Sequence, residues 1–131
     1  MDLVAMRRQI YRHYAATGRP PRLPAKALEA LAADHAVVLD PAGAIMFANP
    51  FATGRSAFRV RTPRRIYGAI CAWDALGVLA AVGRDGTVEG RCPDCGQSIS
   101  LTVQRGKLEP SHAVVHFLVP AARWYEDLAF T

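Results

Sequence analysis

The sequence predicts an α+β fold. A helical, degenerate winged-helix-like N-terminal lobe spans residues 1–50, and a mostly antiparallel sheet packed by the helix of Cys71 and Asp74 spans residues 51–131. Three observations carry this reading. Apolar residues recur at steps of three and four near the N-terminus. A long, weakly polar stretch from Ile66 to Val82 keeps helical spacing in the middle. Short runs of alternating apolar and polar residues, bounded by turn formers, fill the remainder. A chain of 131 residues that is 51% hydrophobic fits one domain with a packed core, which argues against wholesale disorder.

In chain order, Leu3, Met6, Ile10 and Tyr14 define one face of an amphipathic helix over residues 2–17, with arginines on the other face. Gly18 ends it, and Arg-Pro-Pro-Arg-Leu-Pro is an extended linker. A second helix runs from about Ala25 to Asp34. Val37–Asp40, a Pro-Ala-Gly turn and Ala44–Ala48 then read as a hairpin. Two helices and a hairpin resemble a winged helix, but a DNA reader needs a recognition helix before the wing, and too few residues separate the elements to hold one. Ser56–Val60 is a strand, and Arg61–Arg65 leads into a helix expected over Ile66–Val82. Thr87–Cys92 and Ser98–Gln104 form a strand pair around a tight turn. Ala113–Val119 is a further strand stopped by Pro120, and Ala121 opens a helical segment before a final apolar element.

The formal net charge of +5 is concentrated in two groups, one from Arg7 to Lys26 and one from Arg55 to Arg65. No aromatic residues interleave these charges as base-stacking platforms would, so a solvated basic surface is the better reading than a nucleic-acid partner. A small DNA-binding regulator remains the reading the basic N-terminal lobe would require. No apolar run is long enough to span a bilayer, and the N-terminus lacks the apolar block of a secretory signal, so a cytoplasmic protein is expected, without a membrane partner. Three cysteines, an odd number, point to thiol or metal chemistry rather than a disulfide framework.

Cys71 and Asp74 are the residues of most chemical interest. Three positions apart on a helix, they share a face with β-carbons about 5–6 Å apart. Helix N-terminal amides and the nearby Arg64 and Arg65 favour a thiolate, whereas a close carboxylate opposes it. Such a pair tends to share one proton and offers a soft sulfur ligand beside a proton relay. Spacing alone also fits an ordinary core cysteine with a capping or solvent-facing aspartate.

The surrounding residues sharpen this reading. Tyr-Gly-Ala-Ile-Cys-Ala-Trp-Asp-Ala-Leu-Gly-Val-Leu-Ala-Ala-Val-Gly, residues 67–83, resembles the active-site helix of the organomercurial (alkylmercury) lyases. Ala48–Ala52 with Ala57–Val60, Cys92–Val103 and His112–Thr131 are similar to flanking segments of that family, so the likeness runs from about residue 35 onward. It implies protonolysis of a carbon–mercury bond in a small organomercurial substrate. Cys71 would capture mercury, and Asp74 would take the thiol proton and return it to the departing carbon. The products would be a hydrocarbon and bound Hg(II), with no organic cofactor required. In that family a second catalytic cysteine falls just after a segment like Trp124–Thr131. The sequence ends at Thr131, which leaves open a continuing reading frame or a single-thiol member. A non-catalytic homologue holding mercury, zinc, copper or another ligand on the same scaffold is the alternative.

Cys92 and Cys95 form a second constellation, Cys-Pro-Asp-Cys-Gly, in a tight turn shaped like half of a zinc knuckle. With Cys71 they complete the set of candidate metal ligands. A closed zinc site would need two more donors, and His112 and His116 would supply them only if the two segments were neighbours. A thioredoxin-like role fits poorly, because the pair precedes a strand rather than opening a helix. The pair could instead stand in for the second thiol or relay mercury.

Overall fold

The computed structural model describes residues 1–54 and 56–127. Helix α1, Leu3–Thr17, starts at Asp2, whose carboxylate accepts from the Ala5 amide at 3.0 Å. It stops at Gly18, which takes a left-handed conformation (φ 73°). Helix α2, Ala25–Ala33, follows Pro24 and buries Ala27, Leu28 and Leu31. Strands β1, Val38–Leu39, and β2, Ile45–Ala48, form the expected hairpin. Its turn is held by Asp40, whose carboxylate accepts from the amides of Ala42 and Ala44, each at 2.9 Å. No third helix stands between α2 and β1, so the lobe lacks the element a winged-helix DNA reader uses.

The remaining elements are β3 (Phe51–Ala52), β4 (Phe58–Arg61), β5 (Ile66–Ala69), α3 (Ala72–Val82), β6 (Gly86–Arg91), β7 (Ser98–Gln104), β8 (Lys107–Leu108) and a short 3-10 helix (Ala121–Glu126). Among the described residues the strands make one sheet in the order β1-β2-β3-β5-β4-β6-β7-β8, antiparallel at every step. Helix α3 lies on β3, β4, β5 and β6 and buries Ala75, Val78 and Leu79 against them.

One apolar cluster joins the helices and the sheet. It includes Ile10, Tyr14, Leu31, Phe51, Phe58, Val60, Val78 and Val88. Tyr14 stacks on Phe51 at a ring separation of 5.1 Å, and its hydroxyl bonds to Thr53. Tyr67 donates its hydroxyl proton to the Ala15 carbonyl at 2.6 Å. Buried tyrosines need such partners for their hydroxyls. Full burial of a ring the size of Phe51 contributes about 1.5–3 kcal/mol, and this contact spans the join between the N-terminal helices and the sheet.

The structure corrects two expectations and adds two short strands. Ile66–Ala69 is strand β5 rather than the first turn of a helix, because its backbone groups pair with β4 from Phe58↔Ala69 to Arg61↔Ile66. Ala113–Val119 is not a strand: it forms no ladder and is largely exposed, so its apolar run, broken by His116, packs into no sheet. Strands β3 and β8, two residues each, carry too few residues to show a period. The final apolar element expected after Asp127 lies outside the described residues. Among the described residues no helix is long and apolar enough to cross a membrane.

Candidate functional site

Cys71 sits at the junction of β5 and α3, not within the helix. Its backbone is extended (φ −146°, ψ 168°), and it is the N-cap of α3. Its Sγ accepts from the Asp74 amide at 3.4 Å. Asp74 is therefore the third residue of the helix, and its amide bonds the cap side chain as the third-residue amide does with a capping Ser, which is one half of a capping box. The spacing of three is thus real, but its cause is the cap rather than a shared helical face. The helix N-terminus directs its amides and positive dipole end toward this pair.

The electrostatics follow from this placement. Cys71 and Asp74 are both half-buried. Burial pushes the Cys71 thiol above its ordinary range, with a further push from the Asp74 charge, and the amide of Asp74 opposes both. Burial likewise raises the Asp74 carboxyl, and its hydrogen bond with Cys71 works against that rise. Asp74 opposes ionisation of Cys71, whereas the thiol's hydrogen bond favours the Asp74 carboxylate, so in this partly desolvated setting the arrangement favours one proton held between sulfur and carboxylate. Arg64 and Arg65 take no part. They lie in the β4–β5 turn, at the far end of β5 from Cys71, and neither contributes to the thiol's shift.

Trp73, between the two, is 57% exposed and meets Phe117 edge-on with ring centroids 6.0 Å apart. Phe117 in turn packs on Trp124 at 4.9 Å, and the Trp124 indole donates to the Val119 carbonyl at 3.0 Å. This aromatic chain lays the C-terminal segment beside the start of α3. Nothing local in the sequence marks it, because its members are 44 and 7 residues apart along the chain. Two surface concavities are lined by residues of the N-terminal lobe, with Tyr125 in both and Glu126 and Asp127 in one. Neither includes Cys71 or Asp74, and apolar shape alone would point away from the thiol chemistry.

Cys92 and Cys95 occupy the turn between β6 and β7. The Cys92 amide donates to the Gln97 carbonyl and the Gly96 amide to the Cys92 carbonyl, each at 2.8 Å. Gly96 has φ +72°, a conformation that a side chain would strain. The amides of Cys95 and Asp94 and the Cys95 thiol all face the Cys92 sulfur and lower its pKa. All three cysteines are free thiols. His112 and His116 are exposed and do not join the turn. Among the described residues no group of three or more His, Cys, Asp or Glu side chains gathers into a metal site, so the four-ligand arrangement with the histidines does not form.

The register relates the two thiol sites. Phe58 of β4 lies opposite both Ala69 of β5 and Gly90 of β6. Strands β5 and β6 run in the same direction, so Cys71 and Cys92 each leave the same end of the sheet two residues past those positions. A β-carbon on Gly90 would fall 2.3 Å from the Phe58 ring, so only glycine lets that ring lie against β6 between the two exits.

Comparison with known proteins speaks to the fold and the family. A search of curated protein sequences returns no match. The crystal structure of the mercury-bound form of MerB2 superposes with a TM-score of 0.67 at 21% identity, covering 85% of this chain. The chain spans 60% of the length of that structure. A family model for alkylmercury lyase (MerB) matches residues 51–131, more than half of the chain and inclusive of the Cys71–Asp74 junction. The chain belongs to the alkylmercury lyase family.

Proposed function

We propose that Cys71 and Asp74 carry out protonolysis of a carbon–mercury bond. The observation that supports this most is the cap geometry, in which a half-buried thiol and a half-buried carboxyl meet at one helix N-terminus. Asp74 takes the thiol proton as the Cys71 sulfur bonds to mercury and displaces the substrate's labile ligand. The protonated Asp74 then gives that proton to carbon as the carbon–mercury bond breaks heterolytically. The electron pair of that bond goes to carbon, a hydrocarbon leaves, and mercury remains on Cys71 as Hg(II). No electron is transferred to or from the protein. The cap keeps both groups in one place during the exchange, and partial burial keeps the carboxyl basic enough to accept a proton yet acidic enough to return it.

A non-catalytic soft-metal site on the same scaffold is favoured by a different observation: among the described residues only one thiol stands at the α3 cap. A single sulfur holds an organomercurial but supplies less electron push than two. The readings separate on incubation with phenylmercury or methylmercury in excess small thiol, following benzene or methane. Catalysis predicts release by the wild type that Cys71→Ser and Asp74→Ala lose. Equal background release from the wild type and Cys71→Ser would remove the lyase reading, and mercury bound at Cys71 without turnover would favour the binding one.

A further inference from the structure

We propose that Cys92 and Cys95 form a two-coordinate dithiol site for Hg(II), placed to receive the ion from Cys71. The inference rests on the lyase reading for the origin of the ion, but the chelate itself does not. Two observations carry it. The first is the turn: Cys92 and Cys95 are three residues apart on a tight loop pinned at 2.8 Å on both sides of Cys92, with both sulfurs free. The second is the register, which brings the exits of β5 and β6 to one end of the sheet, two inter-strand steps or about 10 Å apart.

The donor set decides the ion. Zinc in a structural site takes four ligands in a tetrahedron. Asp94 lies between the two cysteines, but among the described residues no three His, Cys, Asp or Glu side chains here converge into a metal site. Two thiolates and nothing else suit a soft cation that is content with two sulfurs, and mercury is the one this family handles.

The transfer is ligand exchange without redox change. Mercury on Cys71 carries a second ligand, a thiolate from a small thiol in solution. Cys92 sulfur bonds to mercury and its proton goes to the departing small thiolate. Cys95 sulfur then bonds to mercury as the Cys71–mercury bond breaks, and the Cys95 proton ends on Cys71. Two sulfur–mercury bonds form, two break, and Cys71 is left as a free thiol ready for another substrate. Chelation favours the end state, because the second sulfur of a linked pair binds at high effective concentration whereas a monothiol does not.

The test uses the full chain, loaded with one equivalent of mercuric chloride in excess monothiol and then freed of small molecules. Cleavage after Arg91 and Arg105 isolates residues 92–105, which contain both cysteines. The expected result is that peptide carrying one mercury and lacking two protons, in wild type and in Cys71→Ser alike. Cys92→Ser and Cys95→Ser should each cut mercury retention about tenfold or more. Retention lost in Cys71→Ser but unchanged in Cys92→Ser and Cys95→Ser would overturn the proposal. In a second arm phenylmercury replaces the salt. Mercury found on residues 92–105 with Cys71 open to alkylation supports the transfer, and mercury remaining on Cys71 after benzene release overturns it. A chelate seen with the salt but no benzene release would instead sink the lyase reading alone.

Discussion

The α3 cap and the β6–β7 turn both present a cysteine sulfur to main-chain amides, yet they hold protons in opposite ways. At the cap, Cys71 is half-buried beside a carboxyl, and desolvation outweighs the pull of the Asp74 and Trp73 amides, so the thiol is pushed up. At the turn, the amides of Cys95 and Asp94 meet no comparable burial, and the Cys92 thiol is pulled down. The lesson is that amide donors alone do not make a thiolate. Burial and a neighbouring acid decide whether the same hydrogen-bond motif stores a proton for delivery or releases it to free a ligand.

The largest way to break this contrast is to remove its parts in turn. Cys71→Ser should reduce hydrocarbon release to background, and Asp74→Asn should lower it by about 10²–10⁴-fold, the usual span for a positioned acid. Cys92→Ser should leave single-turnover release in excess small thiol within a few-fold of wild type. Gas chromatography of the headspace reads all three. Next in size is the pH dependence of alkylation. Against an ordinary thiol, the iodoacetamide rate at Cys92 should rise at lower pH and that at Cys71 at higher pH, measured by mass spectrometry of the separate peptides. Coincident profiles would show that burial at α3 does not control the thiol.

Stability should show the contrast in smaller effects. Cys71→Ala removes a cap and should cost about 0.5–2 kcal/mol, whereas Cys92→Ala should stay within about 0.5 kcal/mol, both by chemical denaturation. The smallest effect is the linkage at Asp74. Its folded pKa is raised by burial, so the folded chain binds its proton more tightly than the unfolded chain. That contribution is fully present below the unfolded pKa and is lost as pH rises through the folded value. Asp74→Asn should therefore gain stability relative to wild type on going from acid to neutral pH. The opposite slope would mean that the helix N-terminus stabilises the carboxylate more than burial opposes it.

Much of the fold was legible because its signals are local. The Leu3–Met6–Ile10–Tyr14 stripe, Gly18, the Pro41-Ala42-Gly43 turn and the alternation of Ile99, Leu101 and Val103 each correspond to an observed element. The misreading of Ile66–Ala69 has a specific cause. Its four residues flow into an apolar helix with no Ser, Thr, Asp or Asn to mark the boundary, and the thiol of Cys71 fills the capping role those residues usually signal. Cys71 and Asp74 stood out from their neighbours, and the contact between them is visible in the structure. Its origin in a cap was hidden. The Trp73–Phe117–Trp124 contacts and the common end of β5 and β6 arise from long-range pairing, which no window of sequence contains.

The most direct test of the account separates mercury capture from carbon protonation at the cap. With Cys92 and Cys95 both changed to serine, one equivalent of phenylmercury would be added to chains carrying Asp74 or Asp74→Ala, and bound mercury and released benzene counted together. The account predicts one mercury on Cys71 in both, with benzene released only by the chain that retains Asp74. Benzene released at the same rate from both chains would contradict it.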